Sequence, residues 1–352
     1  MRVALIASPF ITVPPVHYGG TELFIADLAE ALTRLGVEVR LYANGASTLR
    51  ADVRWCYAEQ QWPLPSEAAG ASKEINHAAW AVCEAEKECD IVHVSSALAV
   101  PLARFSSRPF VCTLHHQCDP FLTDLYERNT AVTYVSISRR QASLQPSLSP
   151  HVVHHGVDIG RYPFIRKKQP YLCFLGRICP IKGTHHAIEI AGRAGLPLKI
   201  AGEVQPIFKD YFDTEIRPFV DGDHVEYLGE ADLALKTELL SQATALLFPI
   251  AWDEPFGLVM IEAMACGTPV IAFPGGAVEE VVRNGVSGRV CRDVDEAVSS
   301  LMSDAFDPFG IRCYARENFS AGIMAKRYYQ IYSDLVHKKP SLEPLKRGEA
   351  TA

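Results

Sequence analysis

The feature that most restricts the fold is an alternation of short apolar, β-rich runs with stretches of helical periodicity, and the alternation restarts halfway along the chain. The first series runs through Val3–Ala7, Val37–Tyr42, Ile91–Val94, Phe110–Leu114, Ala131–Val135 and His151–Val153. A second follows at Tyr171–Leu175, Leu198–Ala201, Val225–Leu228, Ala245–Phe248, Pro269–Ala272 and Gly288–Cys291. Strands that alternate with helices specify an α/β fold with parallel sheets. Two series in 352 residues imply two Rossmann-like domains, since a single core stops growing near roughly 250–300 residues. The clearest helix is Thr21–Leu35, with Leu23, Ala26, Leu28, Ala31, Leu32 and Leu35 on one face, Thr21 as N-cap and Gly36 as the stop. The polar, proline-ended Arg166-Lys-Lys-Gln-Pro170 reads as an exposed linker, and the break falls between Gly156 and Pro170.

Composition sets limits on function. A formal net charge of −7 gives no general attraction for nucleic acid. No apolar run is long enough for a transmembrane helix, and Val3–Ala7 reads as a buried first strand rather than a signal peptide. The ten cysteines form no C-x-x-C pair and several lie in apolar runs, which suits reduced thiols and a cytoplasmic setting. The adjacent histidine pairs lack ligand spacing, so no metal site is expected. No G-x-G-x-x-G follows the first strand, which disfavours a dehydrogenase.

The chemistry concentrates in Glu254-Pro-Phe-Gly-Leu-Val-Met-Ile-Glu262-Ala-Met-Ala-Cys-Gly-Thr-Pro-Val-Ile-Ala272. Glu254 lies in a loop before a Pro-Phe-Gly turn. Glu262 is expected about two turns inside the helix that the turn opens, on nearly the same face, with both carboxylates at an exposed mouth. Such a segment combines hydroxyl acceptors with the unpaired N–H groups of a helix start, a donor set for phosphate. Upstream, Gly176-Arg177-Ile-Cys-Pro-Ile-Lys182-Gly183 places two cations in a strand–helix loop, a diphosphate clamp without P-loop order. Gly202 ends a strand, either as a simple tight turn or to let backbone approach a ligand.

The first half contributes Gly19-Gly20-Thr21-Glu22, a glycine pair at a helix start where an anion is welcome, although Glu22 also answers the helix dipole. His115 follows the strand Phe110–Leu114, at the end where open α/β sheets carry functional groups, and His93 ends another strand.

The Glu254–Ala272 run, the Arg177/Lys182 loop and Gly275-Gly276-Ala-Val-Glu279-Glu280 together resemble the retaining glycosyltransferases of family 4 (glycosyl transferases group 1). The resemblance implies the GT-B fold, two Rossmann-like domains facing each other across a cleft. It divides the chain into an acceptor-side domain at 1–160, a donor-side domain at 161–336 and a tail at 337–352. It also implies that the Tyr-rich helical segment Asp307–Val336 crosses back onto the first domain. Matching from the glycines favours Glu279 as the family's carboxylate, and matching from Val281 and Gly285 favours Glu280. One departure stands out: the family's N-G-V-D reads His155-Gly156-Val157-Asp158 here.

By this resemblance the protein is a hexosyltransferase-type enzyme. It moves sugar from a nucleoside-diphosphate-sugar, with UDP or GDP the leading bases, to a hydroxyl acceptor that the sequence does not name. Retention of anomeric configuration and independence of metal or other cofactor are implied with it. Glu262 is assigned the ribose, Glu254 and His115 the donor sugar, and the Phe256, Gly257 and Leu258 amides the diphosphate and sugar. Arg177 and Lys182 take the leaving diphosphate, while Gly19, Gly20 and Gly202 allow close approach. Other readings are an epimerase or phosphorylase on the same fold, or a non-catalytic nucleotide-sugar-binding protein. Peripheral membrane contact stays open.

Overall fold

The computed structural model describes residues 1–17, 19–64 and 66–337, so Tyr18 and the tail expected to fray from Lys338 lie outside the described residues. Two parallel sheets carry the fold. The first has the order β3-β2-β1-β4-β5-β6-β7, built from β1 (Arg2–Ile6), β2 (Glu38–Tyr42), β3 (Asp52–Arg54), β4 (Ile91–Val94), β5 (Phe110–Leu114), β6 (Val132–Ser136) and β7 (His151–Val152). The second has the order β10-β9-β8-β11-β12-β13, from β8 (Leu172–Leu175), β9 (Leu198–Ala201), β10 (Val225–Tyr227), β11 (Ala245–Phe248), β12 (Val270–Ala272) and β13 (Gly288–Val290). In each sheet the strand order reverses beside the first strand, β1 or β8. That switch point opens a crevice at the strands' carboxyl ends.

All twelve expected strands form, within a residue or so of their expected ends; β3 was not anticipated. The first helix runs Gly20–Arg34 with Gly19 as N-cap, so Thr21 lies inside the helix rather than capping it. Gly36 stops it with φ +82°.

The C-terminal segment is two helices, Pro308–Phe319 and Ala321–His337, separated at Ser320. The second returns to the first sheet: Ala321, Met324, Ala325, Tyr328, Ile331 and Tyr332 share a core with Val3, Phe24, Leu28 and Leu32. Its two buried tyrosines end in polar contacts. Tyr328 hydroxyl pairs with Thr113 Oγ1 at 2.8 Å and Tyr332 hydroxyl with His93 Nδ1 at 2.7 Å. This return crosses next to the outgoing linker. Val157 N donates to Phe319 O and Ala321 N to Val157 O, both at 2.9 Å.

The linker is less exposed than its composition suggests. Lys168 Nζ donates to Ser241 O (2.8 Å), Cys266 O (3.0 Å) and Thr268 Oγ1 (2.8 Å), and burial lowers its pKa to about 8. A lysine stem covers apolar surface while its ammonium saturates three acceptors. Among the described residues no helix is long and apolar enough to cross a membrane.

Candidate functional site

Loops from both sheets enclose a cavity of about 620 Å³. On the second-domain side, β8 leads into Gly176-Arg177, then a single 3-10 turn, Pro180–Lys182. Gly183 adopts φ +73°, and a Cβ there would lie 1.9 Å from Pro249 O. Only glycine permits this approach. It presses the Lys182 loop onto the loop after β11, an arrangement also fixed by Ala251 N donating to Ile181 O at 2.9 Å.

As a result Lys182 Nζ stands 2.5 Å from Glu254 Oε2, 4.6 Å from the centre of a Trp252 ring. Trp252 Nε1 donates to the same carboxylate oxygen at 3.0 Å. The sequence assigned Lys182 to phosphate and Glu254 to sugar; in the structure they are each other's partner. Arg177 lines the same wall, and its buried Nε has no hydrogen-bond partner among the described residues.

The helix after the Pro-Phe-Gly turn spans Leu258–Ala265, with Gly257 as N-cap and no side-chain cap. Glu262 is therefore one turn inside it rather than two. Neither acid marks an exposed mouth, since Glu254 is 7% and Glu262 3% exposed. The burial follows from Phe256, which is 1% exposed and packs edge-on to His155 at 5.0 Å, drawing the turn into the domain interface. Glu262 Oε1 accepts from Tyr162 hydroxyl at 2.9 Å and from Lys236 Nζ at 2.5 Å.

Lys236 and Tyr162 were both missed from the sequence. They sit in a weakly patterned helix, Leu233–Gln242, and just past a short turn, Ile159–Arg161, and no local motif marks either. Only His154-His155, singled out as a departure, gave a signal for a missed cavity residue, His155.

Across the cleft, the helix Gly20–Arg34 also starts without a side-chain cap. A Cβ on Gly20 would lie 3.5 Å from Leu258 Cδ1, so two uncapped helix N-termini from opposite domains meet at the cavity. Gly19 makes room for Pro15, whose Cβ would be 2.7 Å from an added Cβ. Glu22, expected in the first helical turn, is buried on the cavity wall, and that burial raises its carboxyl pKa.

His115 stacks on His155 at 5.4 Å with 16° between planes, and its buried Nε2 has no partner among the described residues. Burial first, then the neighbouring histidines, hold its pKa well below the ordinary imidazole range, so it is neutral.

Three positions that the sequence left with more than one reading have these surroundings. Gly202 lines the cavity, but its constraint is protein backbone, because a Cβ would fall 1.8 Å from Gly176 O. His93 is walled in between Thr113 Oγ1 (2.8 Å) and Tyr332 and belongs to the core. Of the two candidate acids after Gly275-Gly276, neither lines the cavity; Glu280 bonds instead to the first domain. Gly276 itself is packed against the Glu254 backbone, with an added Cβ 2.0 Å from Glu254 O. Among the described residues no group of three or more His, Cys, Asp or Glu is placed to hold a metal ion.

Two Rossmann-like halves opening on one cleft, with acids, cations and helix N-termini converging there, form the GT-B architecture. The Glycosyltransferase Family 4 model matches residues 18–161 and the Glycosyl transferases group 1 model matches 161–306; the chain belongs to this family of GT-B glycosyltransferases.

Among its relatives, glycogen synthase of Mycobacterium tuberculosis is 28% identical over 64% of this chain, a match that spans 63% of that protein's length. Phosphatidyl-myo-inositol mannosyltransferase of Mycobacterium leprae is 26% identical over 94% of this chain and 93% of its own. The crystal structure of AviGT4, a glycosyltransferase involved in avilamycin A biosynthesis, superposes with a TM-score of 0.76 at 26% identity, covering 96% of this chain and 98% of its own.

Proposed function

We propose that the protein transfers a sugar from a nucleoside-diphosphate-sugar to a hydroxyl acceptor, with retention at the anomeric carbon and without a divalent metal. The observation that carries this reading is the meeting of two uncapped helix N-termini, at Gly20 and Leu258, beside Arg177 with its unpartnered Nε. Oriented amides with positive dipole ends and a guanidinium are a site for a diphosphate.

Breaking the bond between the anomeric carbon and the phosphate oxygen leaves charge on the diphosphate. Arg177, Lys182 and the Phe256–Leu258 amides offset that charge as it develops. Phosphate reaching Lys182 competes with its contact to Glu254, freeing that carboxylate to accept from hydroxyls of the donor sugar. Glu262, held through Oε1 by Tyr162 and Lys236, receives the ribose hydroxyls. Neutral His115 offers its Nε2 to the sugar from the first-domain side.

Retention and metal independence are carried by the family likeness. The acceptor enters from the first domain, and its identity is left open by a likeness that spans relatives named for glycogen and for phosphatidyl-myo-inositol.

The test is a thermal-shift panel of UDP, GDP, ADP and their common sugar conjugates, each with EDTA and with Mg²⁺. A ligand at a hundred times its dissociation constant adds about 2.7 kcal/mol to stability. A shift with one diphosphate that survives EDTA supports the reading. No shift with any of them overturns the donor assignment, and a shift that needs Mg²⁺ overturns metal independence.

A further inference from the structure

The loop that carries Glu254 is held from the opposite domain by residues that do not line the cavity. Asp253 Oδ1 accepts the Gly276 amide at 3.3 Å, and Asp253 Oδ2 faces Arg140 Nη2 at 3.2 Å. Glu280 accepts the amides of Arg139 (2.8 Å) and Arg140 (2.6 Å), the first residues of the helix Arg139–Leu144. Its Oε2 also meets His154 Nε2 at 2.9 Å. Arg139, Arg140 and His154 belong to the first domain; Asp253 and Glu280 belong to the second.

Between the two acids lies Gly275-Gly276, packed with no slack against the donor loop. Added Cβ atoms would fall 2.5 Å from Trp252 O and 2.0 Å from Glu254 O. Ala277 N donates to Glu254 O at 2.8 Å. Burial alone would raise the Glu280 carboxyl, but the bonds from His154 and the two amides outweigh it and hold the group below its ordinary value. The acid is thus a charged acceptor dedicated to the other domain.

We propose that Glu280 and Arg140 are positioning residues. Docking of the Arg139–Leu144 helix onto Glu280 and Asp253 sets the Glu254 carboxylate for the donor sugar. Engagement of the sugar then depends on this docking through the Glu254 loop, whereas the ribose contact of Glu262 and the phosphate contact of Arg177, on other segments of the second domain, are not set by it. This rests on the donor reading given above and adds to it a route by which the first domain governs the sugar contact.

The experiment titrates UDP, UDP-glucose, GDP, GDP-mannose, ADP and ADP-glucose against the wild type, Glu280→Gln, Arg140→Ala and Arg140→Lys by calorimetry, alongside steady-state turnover and melting temperature. With the nucleotide pair that the wild type binds, Glu280→Gln and Arg140→Ala are expected to lose about tenfold in sugar-conjugate affinity and in kcat, with less than about threefold change for the bare diphosphate. Arg140→Lys, which keeps the cation, recovers part of the loss.

Unchanged kcat and conjugate affinity in both variants overturns the proposal. So does a parallel loss for diphosphate and conjugate that follows the melting temperature, because that is the mark of a purely structural contact. If the wild type binds none of the six ligands, the donor reading fails and this proposal falls with it.

Discussion

Replacing Lys236 by methionine keeps most of the aliphatic stem but removes the cation from Glu262. The carboxylate side chain is 4% exposed and the lysine 22%. Breaking a fully buried pair costs about 3–5 kcal/mol, whereas an exposed pair is worth about 0–1 kcal/mol. With the acid buried, the lysine one-fifth open and the Tyr162 hydroxyl still donating at 2.9 Å, the structure places this case between the two. The expected loss is about 2 kcal/mol, roughly thirtyfold in the folding equilibrium.

Urea unfolding of the wild type, Lys236→Met, Glu262→Gln and the double variant measures the coupling directly, and about 1–2 kcal/mol is expected from residues in such contact. Diphosphate affinity should fall about tenfold in Lys236→Met, since an acid held by one donor instead of two presents its free oxygen less steadily to the ribose. A coupling energy below about 0.5 kcal/mol would refute the reasoning, because the two side chains would then be neighbours without mutual dependence.

Arg177→Ala should lower kcat by about 10²–10³-fold, the usual cost of one preorganised donor to a developing anion. It should leave urea stability within about 0.5 kcal/mol of wild type, as its buried Nε satisfies no protein acceptor among the described residues; full retained kcat would remove it from the leaving-group role. Asp27 is pushed up to about 7 by burial, against the lowering effect of Arg161. A folded-state value above the unfolded one gives stability that is complete below about pH 4 and is lost as pH rises through 7. Urea midpoints across that window should therefore fall for the wild type relative to Asp27→Asn, and parallel profiles would contradict the burial argument. Tyr332→Phe strands His93 Nδ1 in the core and should cost about 1–2 kcal/mol by chemical unfolding, with kcat per folded molecule unchanged. A kcat loss without a stability loss would give His93 a part in the site and contradict its place in the core.

The fold was legible because its signals are local. Buried parallel strands are continuous apolar runs, and the boundaries of β4, β5, β9 and β11 were read to the residue. β3 escaped because Asp52-Val53-Arg54 is a half-exposed edge with one apolar residue. Thr21 looked like the better cap by side-chain chemistry, yet the tight packing of Gly19 against Pro15 starts the helix two residues earlier.

At the site, the residues clustered in short motifs were found, and Arg177, Lys182, Glu254, Glu262, Gly20 and His115 do line one cavity. Their partners were not. Tyr162 lies 100 residues from Glu262 and Lys182 72 residues from Glu254, and spacing along the chain says nothing of who faces whom at such separations. Lys168 shows the converse error, a charged residue read as solvated that is spent on three interior acceptors.

The outgoing and returning chains touch where Val157 bridges Ser320. In topological terms the second domain is an insertion within the first, its two ends side by side. The ribosome therefore finishes the inserted domain before releasing the helix Ala321–His337, whose Met324, Tyr328 and Tyr332 complete the core around Phe24 and Leu28. The half of the protein that is made first is the half that closes last. Until that last helix emerges, the Gly20–Arg34 helix packs only on the sheet, against residues such as Val3, Leu5, Val39 and Leu41, and the part of its face that Met324, Tyr328 and Tyr332 cover stays exposed.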